Sequence, residues 1–193
     1  MDLDRFLRDP HSRRRFFRTS GVSLAGGSAM FLAACTDDTK NPVTGPDESD
    51  QADVEILNAA LDLELMVVAA YKAGAAQLKG NALALSKLFL EQEQEHVDGL
   101  SSAIRDADGT PNRAKSDYPF PSLRSQADVL RFAVDLENTA IAAYIDALPK
   151  LSDGDLRATA ASIITNEAEH LSLLLHALGR DPTPSAFVTG RTS

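Results

Sequence analysis

Two stretches of the chain, "EQEQEHVDGL" from Glu91 and "TNEAEHLSLL" from Thr165, each set a glutamate three residues before a histidine, giving the pairs Glu93/His96 and Glu167/His170. Residues three apart are side-by-side neighbours on a helix, so each pair can offer an oxygen and a nitrogen to one ion. Carboxylate oxygen with neutral imidazole nitrogen suits iron or manganese better than a thiolate-seeking metal. Of the three histidines beyond residue 35, two carry this glutamate.

Such pairs need helices that aim them. From about Asp50 onward apolar residues recur at three and four, and no alternating strand pattern appears, which predicts an all-α chain of four helices. The first is expected from about Asp53 to Lys79, ending at "KGN", and the second from about Asn81 to Ala107, ending at "DGTPN". A long connection with Pro111, Pro119 and Pro121 follows. The third helix opens on the capping pattern "SQAD" at Ser125 and ends near Pro149. The fourth opens on "SDGD" at Ser152 and ends at "LGRDP", with Gly179 as its C-cap. Short, long and short connections predict two antiparallel hairpins joined by a crossover.

The hairpins repeat each other. "ALDLELMVVAAY" (60–71) lies over "AVDLENTAIAAY" (133–144), matching Glu64 with Glu137 and Tyr71 with Tyr144. At 100° per residue, Glu93, His96, Glu167 and His170 fall inside apolar stripes, as do Glu64 (with Leu61, Val68, Tyr71) and Glu137 (with Val134, Ile141, Tyr144). Four carboxylates and two imidazoles therefore converge on one interior. Burying each unpaired carboxylate costs several kcal/mol, the stripes contain no lysine, and two divalent cations would balance the four charges.

On these residues the chain resembles the ferritin-like superfamily over about Asp53 to Leu178. The resemblance implies a four-helix bundle holding two iron (or manganese) ions, with Glu64 and Glu137 as terminal ligands, Glu93 and Glu167 as bridging ligands, and His96 and His170 as imidazole ligands. It further implies partners such as ferrous iron, dioxygen or peroxide. Many members have an acid one turn before each terminal glutamate. Here Ala60 and Ala133 stand there, and the repeated Asp62 and Asp135 are poorly aimed, so the acceptor for each histidine's other nitrogen is unassigned. Tyr71 and Tyr144 follow Glu64 and Glu137 by two turns, where a hydroxyl supports a ligand, carries an electron or simply packs in the core. Glu95 and Glu169 turn away from the ligand direction, and His176 lies on another face.

The N-terminal "SRRRFFRTSGVSLAGGSAMFLAAC" resembles a twin-arginine export signal closed by a lipobox, with Cys35 as the lipidated first mature residue. The expected organisation is a signal over 1–34, a Pro- and Asp-rich tether over 35–50, the bundle over 51–180 and a tail over 181–193. Cys35 is the only cysteine, so no internal disulfide forms. Taking the signal's net +3 from the chain's −9 leaves −12, which argues against nucleic acid as a partner. The expected location is the cell envelope or periplasm, with the lipid at the membrane. A closed storage shell does not suit a lipid on every tether, and pairing of two copies is left open. The competing reading is a metal-free, or only structurally metallated, bundle acting as an envelope binding module.

Overall fold

The computed structural model describes residues 48–191. The signal over 1–34, Cys35 and all but the last residues of the tether lie outside them. Four long helices carry the fold: α1 (Glu48–Gly74), α2 (Gly80–Asp106), α3 (Gln126–Ala147) and α4 (Gly154–Ala177), with short 3-10 turns at Ala75–Gln77 and Leu148–Lys150. Among the described residues there is no strand.

α1 starts earlier than the expected Asp53 and takes in residues 48–50, which the sequence assigns to the tether. Residues 50–52 are exposed and the first turns show no apolar period, but acids near a helix start complement the positive end of the helix dipole. Asp53 does something further. It is buried, and its carboxylate accepts from the Ser152 amide (2.9 Å), the Ser152 hydroxyl (2.6 Å) and the Asp153 amide (3.1 Å). Burial alone would raise its pKa, but the bonds from Ser152 and Asp153 and the charge of Arg157 hold it below the usual range. Ser152 is therefore occupied with α1, and Asp153 caps α4 instead, accepting from the amides of Asp155 (2.7 Å) and Leu156 (2.9 Å).

Asp53→Ala strands those donors and should cost roughly 2–4 kcal/mol, lowering the melting midpoint by on the order of 10 °C in a domain of this size. Circular dichroism melting checks this, and a variant that melts with the parent would mean that α4 is anchored elsewhere.

The remaining ends follow their local chemistry. Ser125 caps α3, accepting from the Asp128 amide at 3.2 Å while its hydroxyl donates to the Asp128 carboxylate at 2.8 Å. Gly179, at φ +70°, closes α4: its amide donates to the His176 carbonyl and that of Arg180 to the Leu175 carbonyl. The crossover is held by Asn58 of α1, which accepts from the Asn112 amide at 2.8 Å, and by Tyr118, Phe120 and Phe132, whose rings lie 5.6 Å apart in sequence. The tail returns over α3. Arg191 bonds both Asp146 oxygens, and Gly190 lies so close to Asn138 and Ala142 that a Cβ would collide with their backbone.

α1 pairs with α2 and α3 with α4, and the hairpins join through α1 against α3 and α2 against α4. Their contacts run in opposite order: Tyr71 meets Glu137 while Tyr144 meets Glu64, and Phe89 stacks on His170 while His96 meets Glu167. Both cross-hairpin pairs are thus antiparallel. The apolar core forms two clusters, one around Val67, Phe89, Leu130 and Leu174, the other around Leu61, Leu100, Ile104 and Ile163. The polar cluster is buried in the same interior.

Candidate metal centre

Each helix contributes from its buried stripe. Glu64, Glu93, Glu137 and Glu167 are fully buried, His170 is 1% exposed and His96 is 12% exposed. These six side chains form two overlapping groups, Glu64/Glu93/His96/Glu167 and Glu93/Glu137/Glu167/His170. Within each, one potential ligand atom per residue lies within 4.8 Å of all the others.

Glu93 and Glu167 are shared in a particular way. His96 Nδ1 lies 3.3 Å from Glu93 Oε2 and 3.0 Å from Glu167 Oε1, whereas His170 Nδ1 lies 3.0 Å from Glu93 Oε1 and 3.4 Å from Glu167 Oε2. Each of these carboxylates turns one oxygen to each histidine. Glu64 Oε2 stands 3.8 Å from His96 Nδ1, and Glu137 Oε1 stands 3.7 Å from His170 Nδ1. Around a small divalent cation with ligands at about 2.1 Å, neighbouring octahedral ligands are about 3.0 Å apart. The spacing here fits that shell.

Tyr71 donates its hydroxyl hydrogen to Glu137 Oε1 and Tyr144 does so to Glu64 Oε1, each crossing to the other hairpin. Both rings are buried, so core packing and carboxylate support are combined in one side chain. Burial, then the nearby Glu137 or Glu64 carboxylate, pushes each phenol well above its ordinary pKa, which keeps it a donor.

Burial is the largest influence on every acid in the cluster, and the neighbours decide the outcome. Glu64 is raised to about 8 by burial and by repulsion from Glu167 and Glu93, against the opposing pull of His96. Burial and the same two acids raise Glu137 well above the carboxylate range. For Glu93 and Glu167 the nearby His170 and His96 rings overcome burial and lower the pKa. Burial would lower the histidines, but Glu167, Glu64 and Glu93 push His96 up to about 12, and Glu167 and Glu93 raise His170. At neutral pH Glu64 and His96 therefore both hold protons, while Glu93 and Glu167 are held toward the carboxylate form.

Bound protons do not satisfy every buried atom. Among the described residues, six buried side-chain atoms lack a hydrogen-bond partner: Glu64 Oε2, Glu93 Oε1, Glu137 Oε2, both Glu167 oxygens and His170 Nδ1. All six belong to this cluster. Buried polar atoms are normally paired, and these are ligand-type atoms aimed at common points, so the donor set fits two bound cations.

Of the other residues singled out in the sequence, Glu95, Glu169 and His176 are exposed, and neither Asp62 nor Asp135 bonds a ligand histidine. The acceptor missing from the sequence reading is Gln92, whose Oε1 lies 2.9 Å from His170 Nε2. It comes from the opposite hairpin, so no local spacing announces it.

Comparison with known proteins agrees with this architecture. Among curated proteins no sequence matches the chain. Solved structures of several proteins share the fold. A conserved hypothetical protein of Mycobacterium tuberculosis has 23% identity and TM-score 0.62, over 66% of this chain and 97% of that one. A ferritin-like, diiron-carboxylate protein of Bacillus anthracis has 21% identity and TM-score 0.60, over 68% and 99%. The bacterioferritin of Desulfovibrio desulfuricans, solved with its diiron site in different catalytic states, has 22% identity and TM-score 0.62, over 78% and 98%. Residues 52–180, which span all four helices except the first turn of α1, match the model of the ferritin-like domain, and the chain belongs to that family.

Proposed function

We propose that this chain is an exported, lipid-anchored ferritin-like protein that holds two iron (or manganese) ions and oxidises ferrous iron or consumes peroxide or dioxygen. The observation that carries the reading is the set of six unpartnered buried atoms, together with the way Glu93 and Glu167 each divide their oxygens between two histidines. Iron is favoured by the diiron sites named for the Bacillus anthracis and Desulfovibrio desulfuricans proteins.

In this reading Glu64 and His96 would hold one ion, Glu137 and His170 would hold the other, and Glu93 and Glu167, common to both groups, would serve each. Two redox metals so held supply electrons in pairs to dioxygen or peroxide. The chain's own part is to fix and shield them. Tyr71 and Tyr144 hold the terminal carboxylates in place, and the apolar clusters around Phe89 and Ile163 keep bulk water from the ligands. Among the described residues no helix is long and apolar enough to cross a membrane, so membrane attachment in this proposal rests on the lipid at Cys35.

Elemental analysis of protein purified without chelator tests the centre: about two iron or manganese ions per chain are expected, followed by turnover in ferrous-oxidation and peroxide assays. Near-zero metal after anaerobic reconstitution with ferrous iron would sink the reading. In the same cells the protein should fractionate with membranes and Cys35→Ser should release it; equal distribution of both forms would remove the lipid from the proposal.

A further inference from the structure

The two halves of the centre are built from repeated sequence but sit in unequal surroundings. His170 is sealed. Its ring stacks on Phe89 at a centroid distance of 3.9 Å and an interplanar angle of 28°, Phe89 in turn packs edge-on to Tyr71 at 6.1 Å, and Gln92 Oε1 stands 2.9 Å from Nε2. With Nε2–H donated to that oxygen, Nδ1 is the nitrogen left facing Glu93, Glu137 and Glu167. Ring plane and water exclusion are both set before an ion arrives.

The other half lacks each of these devices. By the register of the repeat, Ile163 stands where Phe89 stands and Asn166 where Gln92 stands. Asn166 is one methylene shorter, and its amide nitrogen points to the exposed Glu169 at 3.5 Å, away from the histidine. Among the described residues His96 makes one hydrogen bond, through Nδ1 to Glu93, and its side chain is 12% exposed against 1% for His170.

We propose that Gln92 and Phe89 make the two metal positions unequal, an inference that rests on the two-ion reading above: the position of Glu137 and His170 fills first and keeps its ion, while that of Glu64 and His96 exchanges through the edge His96 presents to solvent. Gln92 is a positioning residue, acting on the metal only through His170. Loss of such an outer partner typically weakens metal binding roughly 10- to 100-fold.

Cobalt(II) titrated into the metal-stripped whole chain, followed by visible absorption and calorimetry, tests this without reference to turnover. The parent should bind in two steps whose affinities differ at least about 10-fold. His96→Ala should keep the tight step and His170→Ala should lose it. Gln92→Leu should weaken the tight step roughly 10- to 100-fold, Gln92→Glu, which keeps an acceptor oxygen, should restore it, and Asn166→Leu should change neither step. Melting of each metal-free variant separates misfolding from lost affinity, and the order of loss between His96→Ala and His170→Ala decides the matter if Gln92→Leu folds poorly. Two equal steps in the parent, or equal losses from Gln92→Leu and Asn166→Leu, would overturn the inequality and leave the two-ion reading standing. A chain that takes up no cobalt would overturn the two-ion reading itself.

Discussion

Glu93→Ala and Glu167→Ala should each take metal content from about two ions per chain to well below one, because either change removes an oxygen from both positions at once. Glu64→Ala, which touches one position only, should retain about one ion. Glu95→Ala should retain both, since that side chain is exposed and points away from the cluster. Metal analysis after gel filtration distinguishes the three outcomes, with melting of the metal-free forms as the folding control. Equal loss from Glu95→Ala and Glu93→Ala would mean that the interior cluster is not where metal binds.

Metal uptake should also release protons, on the order of two per chain near pH 7 from the Glu64 and His96 position. The Glu64 carboxyl and the His96 imidazole hold protons there, and a divalent ion must displace both. With about two protons competing for that position, its apparent affinity should fall roughly 100-fold for each pH unit below neutral. Calorimetry in buffers of different ionisation enthalpy counts the protons directly, and a count near zero would contradict the protonation of Glu64 and His96.

The same shifts set the sign for the metal-free fold. Glu64 keeps its proton to about 8 against 4.5 unfolded, and His96 keeps its proton to about 12 against 6.5. In both cases the folded state binds protons that the unfolded chain has released, so the cluster's contribution to stability falls as pH rises from about 5 to 9. Glu93 and Glu167 are lowered below 4.5, and their contribution is already complete across that window.

Much of this centre is legible in the sequence because helical geometry is local. A glutamate three residues before a histidine, inside an apolar stripe, leaves one direction for both, and Glu64, Glu93, His96, Glu137, Glu167 and His170 all lie where that geometry aims them. What crosses between hairpins is not legible. The spacing of Tyr71 and Tyr144 gives their face but not their partners, which belong to the other copy. Gln92 reads as one more polar residue in "EQEQEH", and only the antiparallel register of α2 against α4 brings it to His170. Asp53 is hidden for another reason: it stands among exposed acids at the polar start of α1, and its partners lie about a hundred residues away in sequence.

Tyr71 on Glu137 and Tyr144 on Glu64 form the pattern of an isologous interface, in which whatever one half does to the other is returned. Two separate, identical hairpins meeting in this way would be bound by their symmetry to build two identical positions. Joining them through the 107–125 connection removes that obligation. Residue 92 and residue 166, or 89 and 163, then become independent choices within one chain. The crossover thus does for the two proposed metal positions what gene fusion does for a homodimer: it turns equal halves into a pair free to specialise.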